Sequence, residues 1–194
     1  MTDPDFEIVA ERSGVPFRQR IRYDRHVRFD FGTGANVYVV REVAARLLRR
    51  AREAEPRETG GLLAGRAFYD DEGPYLIVTD MAVAPPEAGG YGRFDLSPEG
   101  TQRLRDFLAE RQPSADVVGW WHSHPAPSVY SVRDRQNQAI WTSPLHIGLL
   151  VFPHGSPWAR LYVGPSSAGP FDSYDAPLPP RPLGAPPAPV ETVT

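Results

Sequence analysis

The sequence contains no cysteine and no lysine, and no apolar run in it is long enough to span a membrane. The absence of cysteine excludes disulfides, thiolate nucleophiles and cysteine-ligated zinc, and with them the zinc deaminases, whose motif needs a Cys-x-x-Cys pair. The net charge of −3 argues against general nucleic-acid binding. The acidic residues 1–5 do not resemble a secretory signal. We therefore expect a cytoplasmic protein with neither nucleic-acid nor membrane partners.

In other respects the amino-acid composition is typical of one globular domain with tails. The chain has 194 residues, of which 41% are hydrophobic and 23% charged. Residues 1–34 are interpreted as an N-terminal extension with one or two strands, and residues 35–164 as the folded domain. Residues 165–194 contain nine prolines and few large apolar groups, which predicts a proline-rich tail.

Strand and helix patterns alternate along the domain. Period-two alternation or short apolar runs indicate strands, and apolar residues at helical spacing indicate helices. Proline and serine mark several helix starts. The predicted strands are 20–31, 36–40, 58–68, 74–83, 115–121, 145–152 and 158–163, and the predicted helices are 42–54, 98–112 and 132–141. This order predicts an α/β sandwich built around one sheet.

Two histidines stand two residues apart at the end of a predicted strand. Side chains at this spacing point to the same face, so His122 and His124 can offer ring nitrogens to one point. Asp134 can supply a third ligand from the first turn of a helix that Ser131 caps. Zinc in catalytic sites takes three such protein ligands and keeps a fourth position for water.

A glutamate upstream supplies the remaining group that such a site needs. Glu58 opens a glycine-punctuated apolar strand, and a carboxylate that does not bind the metal is the usual base for its water. Gly60, Gly61 and Gly65 are unusual inside a strand. They indicate close approach of another backbone, either a substrate strand or a neighbour in the sheet with a bulge or tight packing.

These residues resemble the motif of the JAMM (MPN-plus) metalloprotease family over roughly residues 35–165. The match comprises Glu58 with its Thr-Gly-Gly, His122-Ser-His124-Pro, Ser131 and Asp134. The family usually places seven residues between the second histidine and the serine, whereas this chain has six. The resemblance implies a cytidine-deaminase-like sandwich with a central mixed sheet flanked by helices. It also implies Zn²⁺ held by the two histidines and the aspartate, with Glu58 and Ser131 as catalytic residues.

The resemblance further implies a substrate class. The family acts on ubiquitin or ubiquitin-like chains, and similar bacterial domains process ubiquitin-like or sulfur-carrier proteins beside a C-terminal diglycine. The simple architecture and composition look bacterial. We expect a zinc peptidase or isopeptidase of such a protein, and the sequence does not separate the two. Tyr91 and Arg93, in a glycine-rich loop, are candidate substrate contacts, with ordinary surface positions as the alternative.

Two other functions are consistent with parts of the sequence. A metal-free scaffold or binding module of the same fold is the alternative that the shortened loop favours. A nuclease-type role is disfavoured because the sequence shows no basic face.

All 21 basic residues are arginine. Codon bias explains this, since alanine, arginine, glycine and proline are abundant. A functional alternative is that an isopeptidase gains by offering no lysine amine as an acceptor.

Overall fold

A computed structural model describes residues 11–12, 18, 21, 25–31 and 36–173. Its helices are α1 (Arg41–Ala54), α2 (Pro98–Arg111) and α3 (Val132–Ala139). Its strands are β1 (Glu11–Arg12), β2 (His26–Asp30), β3 (Asn36–Val40), β4 (Gly60–Asp70), β5 (Gly73–Met81), β6 (Gly89–Gly90), β7 (Arg93–Phe94), β8 (Asp116–Ser123), β9 (Ile147–Val151), β10 (Ala159–Val163) and β11 (Ala168–Asp172). None of the helices in these ranges is long and apolar enough to cross a membrane.

One mixed sheet forms the centre of the molecule. Its strand order is β11-β10-β9-β8-β4-β5-β3-β2, with β1 also paired to β4. The β3–β5 and β8–β9 pairs are parallel, and the other neighbours along this order are antiparallel. The two ends of the order approach each other, since the rings of Phe31 and Phe171 lie 4.6 Å apart. Strand β8 lies in the interior of this order, between β9 and β4.

The helices cover both faces of the sheet, as the sequence predicts. Helix α1 buries one apolar stripe, which includes Leu47, in the same cluster as Trp121 of β8. Helix α2 packs Leu104 into a second cluster with Trp120. Successive residues of a strand point to opposite faces, so β8 contributes one tryptophan to each cluster. The predicted α/β sandwich with a central mixed sheet flanked by helices is confirmed.

The glycines of β4 are explained by packing within the sheet. A Cβ atom at Gly60 would collide with the carbonyl oxygen of Trp121, and one at Gly65 with that of Ile77. The β4–β5 register shifts between Ala64 and Gly65, which marks a bulge. Neighbouring strands thus already occupy the space that these glycines leave.

Several boundaries differ from the sequence prediction. Strand β2 covers only part of the predicted 20–31, and residues 19–20 and 22–24 lie outside the described residues. Residues 84–93, predicted as a loop, contain a 3-10 turn (Pro86–Ala88) and most of the small β6–β7 hairpin, which ends at Phe94.

The start of the predicted tail forms part of the sheet. Residues 168–172 form β11, paired antiparallel to β10, while residues 174–194 lie outside the described part. Pro170 has no paired residue in the β10–β11 register, where the pairing shifts, and an edge strand tolerates a proline at such a position. Of the nine prolines in the predicted tail, Pro165 and Pro170 lie in the described part of the chain, and Pro170 belongs to β11.

Candidate metal centre

The two histidines meet where β8 ends. His122 is fully buried and lies opposite Gly60 of β4, while His124 follows the strand and donates its backbone N–H to Val151 at 3.0 Å. Their Nε2 atoms are 3.2 Å apart. The spacing of two along a strand thus gives the convergence that the sequence predicts.

Asp134 reaches both histidines from the start of α3. Its Oδ1 lies 3.2 Å from His122 Nε2, and its Oδ2 lies 3.6 Å from His124 Nε2. A capping box fixes its position: the Ser131 N–H donates to Asp134 Oδ2 at 2.7 Å, and the Asp134 N–H donates to Ser131 Oγ at 3.2 Å. Ser131 is therefore the N-cap that the sequence predicts.

Buried side chains hold α3 against the sheet. The Trp120 indole N–H donates to Gln138 Oε1 at 2.6 Å, and Gln138 Nε2 donates to the Gly164 carbonyl at 3.1 Å. Ahead of the helix, the Tyr130 ring stacks on Tyr162 with centroids 3.6 Å apart. The six-residue loop is thus long enough to bring Asp134 beside the histidines.

Glu58 faces the same centre from the segment before β4. Its Oε1 lies 3.6 Å from His124 Nε2, and its side chain is almost fully buried. Two hydrogen bonds from backbone N–H groups fix this segment. The Glu58 N–H donates to the Gly90 carbonyl at 2.8 Å, and the Thr59 N–H donates to the side-chain Oγ of Ser123 at 3.1 Å. Ser123, between the two histidines, therefore has a structural contact.

The two carboxyl groups differ in their proton affinity. Burial raises the pKa of Glu58 to about 7, and the nearby charges of Asp134 and Asp95 add to the effect. Burial alone would also raise the pKa of Asp134. Hydrogen bonds and charge from His122, together with the bonds from Ser131, outweigh this and hold the pKa of Asp134 well below its usual value.

The surroundings of His124 favour its neutral form. Burial, with a contribution from the charge of His122, lowers its pKa to about 4. A neutral imidazole is the form that binds a metal ion.

The donor atoms fit a tetrahedral zinc ion. Two donors about 2.05 Å from a tetrahedral zinc lie about 3.3 Å from each other. The two Nε2 atoms lie 3.2 Å apart, Asp134 Oδ1 lies 3.2 Å from His122 Nε2, and the other oxygen, Oδ2, lies 3.6 Å from His124 Nε2, so each of these pairs is close to this value. Glu58 and the two histidines also offer atoms within 4.8 Å of one another. Asp134 and Glu58 are the two candidates for a third ligand: the carboxylate of Asp134 contacts both histidines, and Glu58 is the buried carboxyl group with the raised pKa.

The candidate substrate contacts do not join this cluster. Tyr91 lies at the tip of the β6–β7 hairpin with 77% of its surface exposed, and Arg93 is also exposed. The hairpin itself adjoins the centre, because Gly90 accepts the backbone bond from Glu58. A cleft of about 260 Å³ also borders Glu58, between the end of α1 and the turn at Pro86.

Sequence reasoning missed two side chains beside the centre. Ser128 Oγ lies 2.6 Å from His124 Nδ1, and Arg160 donates to the Ser128 carbonyl at 2.6 Å. Ser128 stands four residues after His124 in the short loop, a position that could have suggested the contact. Nothing in the sequence around Arg160 indicates it.

A family model matches most of the folded domain. The family described as prokaryotic homologs of the JAB domain matches residues 40–162. The match covers more than half of the chain, and it spans β8, the short loop and α3. The protein belongs to this family.

Its curated relatives include proteasome subunits. The 26S proteasome regulatory subunit rpn11 of Schizosaccharomyces pombe is 32% identical over 89 residues, which are 46% of this chain and 28% of the relative. The ubiquitin carboxyl-terminal hydrolase RPN11 of Saccharomyces cerevisiae is 30% identical over 94 residues, 48% of this chain and 29% of the relative. The aligned region thus spans less than a third of these relatives.

Two solved structures are similar to part of this chain. A JAB1/MPN domain protein from Archaeoglobus fulgidus has 19% identity and a TM-score of 0.42, covering 66% of this chain and 90% of that chain. The protein DSY2949 from Desulfitobacterium hafniense has 19% identity and a TM-score of 0.47, covering 71% and 88%.

Proposed function

We propose that this protein is a zinc-dependent hydrolase of peptide or isopeptide bonds at the C-terminus of a ubiquitin-like or sulfur-carrier protein. One observation carries the proposal: His122, His124 and Asp134 converge at zinc-like spacing beside the buried carboxyl group of Glu58. A non-catalytic scaffold would not need two adjacent carboxyl groups of which one has a raised pKa and the other a lowered pKa.

In the proposed site, His122, His124 and Asp134 would hold zinc. The bound ion would supply Lewis acidity, which would polarise an amide carbonyl and lower the pKa of a bound water to about 7. Glu58, with its pKa near 7, accepts a proton from the attacking water and passes it to the leaving amine. A carboxyl group with a pKa of about 7 can both accept and donate a proton near neutral pH.

Ser131 has a second role in the proposal. Its Oγ accepts the backbone bond from Asp134, which leaves the hydroxyl proton available as a donor. Ser131 is exposed to solvent at the start of α3, and in the proposal its hydroxyl donates to the carbonyl oxygen as negative charge develops there. The residue would serve as helix cap and oxyanion donor together.

The substrate class rests on family membership and on the relatives' names. One of these relatives is named a ubiquitin carboxyl-terminal hydrolase. The cleft beside Glu58 and the adjoining β6–β7 hairpin offer a path for an extended C-terminal peptide. Both isopeptide cleavage and C-terminal processing are consistent with such a path.

The test is cleavage of ubiquitin-like and sulfur-carrier proteins extended beyond their C-terminal diglycine, by wild-type protein and Glu58→Gln. We expect wild type to cut after the diglycine and Glu58→Gln to lose at least about 100-fold in kcat, since general acid–base catalysis contributes about that much or more. The variant should retain its metal, as Glu58 is not a ligand. Equal cleavage by both proteins would contradict the role of Glu58. No cleavage of any such substrate by metal-loaded wild type would favour a scaffold.

A further inference from the structure

The two histidines of the centre are held in different ways. The His122 ring is fully buried and stacks on the Trp120 ring, with centroids 4.7 Å apart and planes 3° from parallel. Within the described part of the chain, its Nδ1 has no hydrogen-bond partner. His124 lies beyond the end of β8, its side chain is 14% exposed, and its Nδ1 lies 2.6 Å from Ser128 Oγ. Packing thus orients His122, whereas a hydrogen bond orients His124.

We propose that Ser128 is the positioning residue that fixes the ring of His124 for metal binding. When His124 Nε2 faces the metal centre, its proton resides on Nδ1, and this N–H donates to Ser128 Oγ. Ser128 contacts the ring on the side away from the centre, so it acts through His124. The inference rests on the proposed zinc site and adds to it a residue outside the family motif.

Ser128 is held from the edge of the sheet. Arg160 of β10 donates through a terminal guanidinium nitrogen to the Ser128 carbonyl at 2.6 Å, and through Nε to Asp172 Oδ1 at 3.0 Å. Arg160 and Asp172 lie opposite each other in the β10–β11 register. The side chains of this ion pair are 21% and 27% exposed, so the pair is partly shielded from solvent. Strand β11, which the composition predicted to be part of the tail, thus supports the loop that contains Ser128 and, through it, the ring of His124.

This arrangement accounts for the short loop. Six residues separate His124 from Ser131, and Ser128 lies in the middle of them. Bonds through both its hydroxyl and its carbonyl fix the loop between the strand end and the start of α3. Removal of the hydroxyl frees the His124 ring and leaves the carbonyl contact intact.

The first test measures zinc affinity by competition with a chromophoric chelator. We expect Ser128→Ala to weaken zinc binding about 10- to 100-fold, the usual cost of removing the partner of a ligating histidine. Ser128→Thr should restore affinity to within a few-fold of wild type. Arg160→Ala should weaken binding by less than Ser128→Ala, because the hydroxyl remains. Ser143→Ala is the matched control: this half-buried serine also accepts one bond, from the Leu145 N–H at 3.2 Å, but lies away from the centre.

The second test uses metal-free protein with ¹⁵N-labelled histidine. Ser128→Ala should shift the Nδ1 resonance of His124, Ser128→Thr should return it toward wild type, and Ser143→Ala should leave it unchanged. An unchanged His124 resonance in Ser128→Ala would overturn the assignment, as would equal zinc affinities of Ser128→Ala and Ser143→Ala. If wild type binds no zinc, the proposed function fails, and the histidine spectra still decide the role of Ser128.

Discussion

Glu58 and Asp134 are two carboxyl groups beside the same histidine, and their environments separate their proton affinities. Asp134 accepts hydrogen bonds from a helix start and faces His122, which favours its charged form. Glu58 is buried near the negative charges of Asp134 and Asp95, which favours its neutral form. Such separation lets one carboxylate bind a cation while the other exchanges protons.

Ser131→Ala tests whether the cap is also an oxyanion donor. Loss of the cap should cost about 1 kcal/mol of stability, and loss of the donor should lower kcat by about 100- to 1,000-fold. Zinc content should be unchanged. Thermal unfolding, metal analysis and steady-state cleavage measure the three quantities.

Ser97→Ala is the matched control for this prediction. Ser97 caps α2, where its Oγ accepts the Gly100 N–H at 3.0 Å. The control should lose a similar amount of stability and keep its kcat. A Ser131→Ala enzyme with wild-type kcat would restrict Ser131 to the capping role.

At the scale of elements, one buried carboxylate joins both large helices to the sheet. Asp80 of β5 is 2% exposed and receives Arg46 of α1 at 2.6 Å and Arg111 of α2 at 3.1 Å. Burial would raise its pKa, but bonds from the Met81 N–H and the two arginines outweigh this and lower it. The two longer helices, on opposite faces of the sheet, are thus tied to one strand by charge as well as by packing.

Asp80→Ala should therefore destabilise the fold. We expect a loss of about 2 kcal/mol, below the usual cost of breaking a fully buried pair because the arginines are partly exposed. Asp30→Ala is the control, since Asp30 pairs with Arg28 on the surface and should cost less than about 1 kcal/mol. Urea unfolding of both variants measures the difference, and equal losses would contradict the role of Asp80.

The contribution of Asp80 should depend on pH. Its folded pKa is lower than its unfolded pKa, so the stability it adds is fully present above the unfolded value of about 3.9. That stability is lost as pH falls toward the folded pKa. The difference in unfolding free energy between wild type and Asp80→Ala should therefore be larger at pH 7 than at pH 3. A difference that grows on acidification would contradict the lowered pKa.

Local signals account for the elements that sequence analysis predicted. The apolar stripe of α1 and the caps at Ser97 and Ser131 each depend on residues within one or two helical turns, so they can be recognised in the sequence. Strand β11 and the Arg160–Ser128 contact depend on partners far along the chain, and no local pattern encodes them. The convergence at the metal centre was predictable because motif spacing on a strand and a helix fixes side-chain direction.

At the scale of the whole molecule, the centre draws on three separate parts of the chain. Glu58 precedes β4, the histidines end β8, and Asp134 begins α3. A ligand that binds the folded arrangement and not the unfolded chain stabilises the fold by mass action. Zinc should thus act on global stability as well as on activity.

The expected effect is a rise in Tm on addition of zinc. At 100 times Kd, the gain is about 2.7 kcal/mol, or roughly 5–10 °C for a chain of this size. Glu58→Gln should keep the rise and His122→Ala should lose it. Scanning calorimetry with and without a chelator measures both. A rise of equal size in His122→Ala would place the zinc elsewhere.

Elemental analysis of purified wild type, His122→Ala and Asp134→Ala decides whether the proposed metal centre exists. We expect about one zinc per chain in wild type and its loss in both variants. No zinc in protein produced with ample metal would contradict the metal centre. Zinc retained in Asp134→Ala would show that the third ligand is a different group, with Glu58 the nearest alternative.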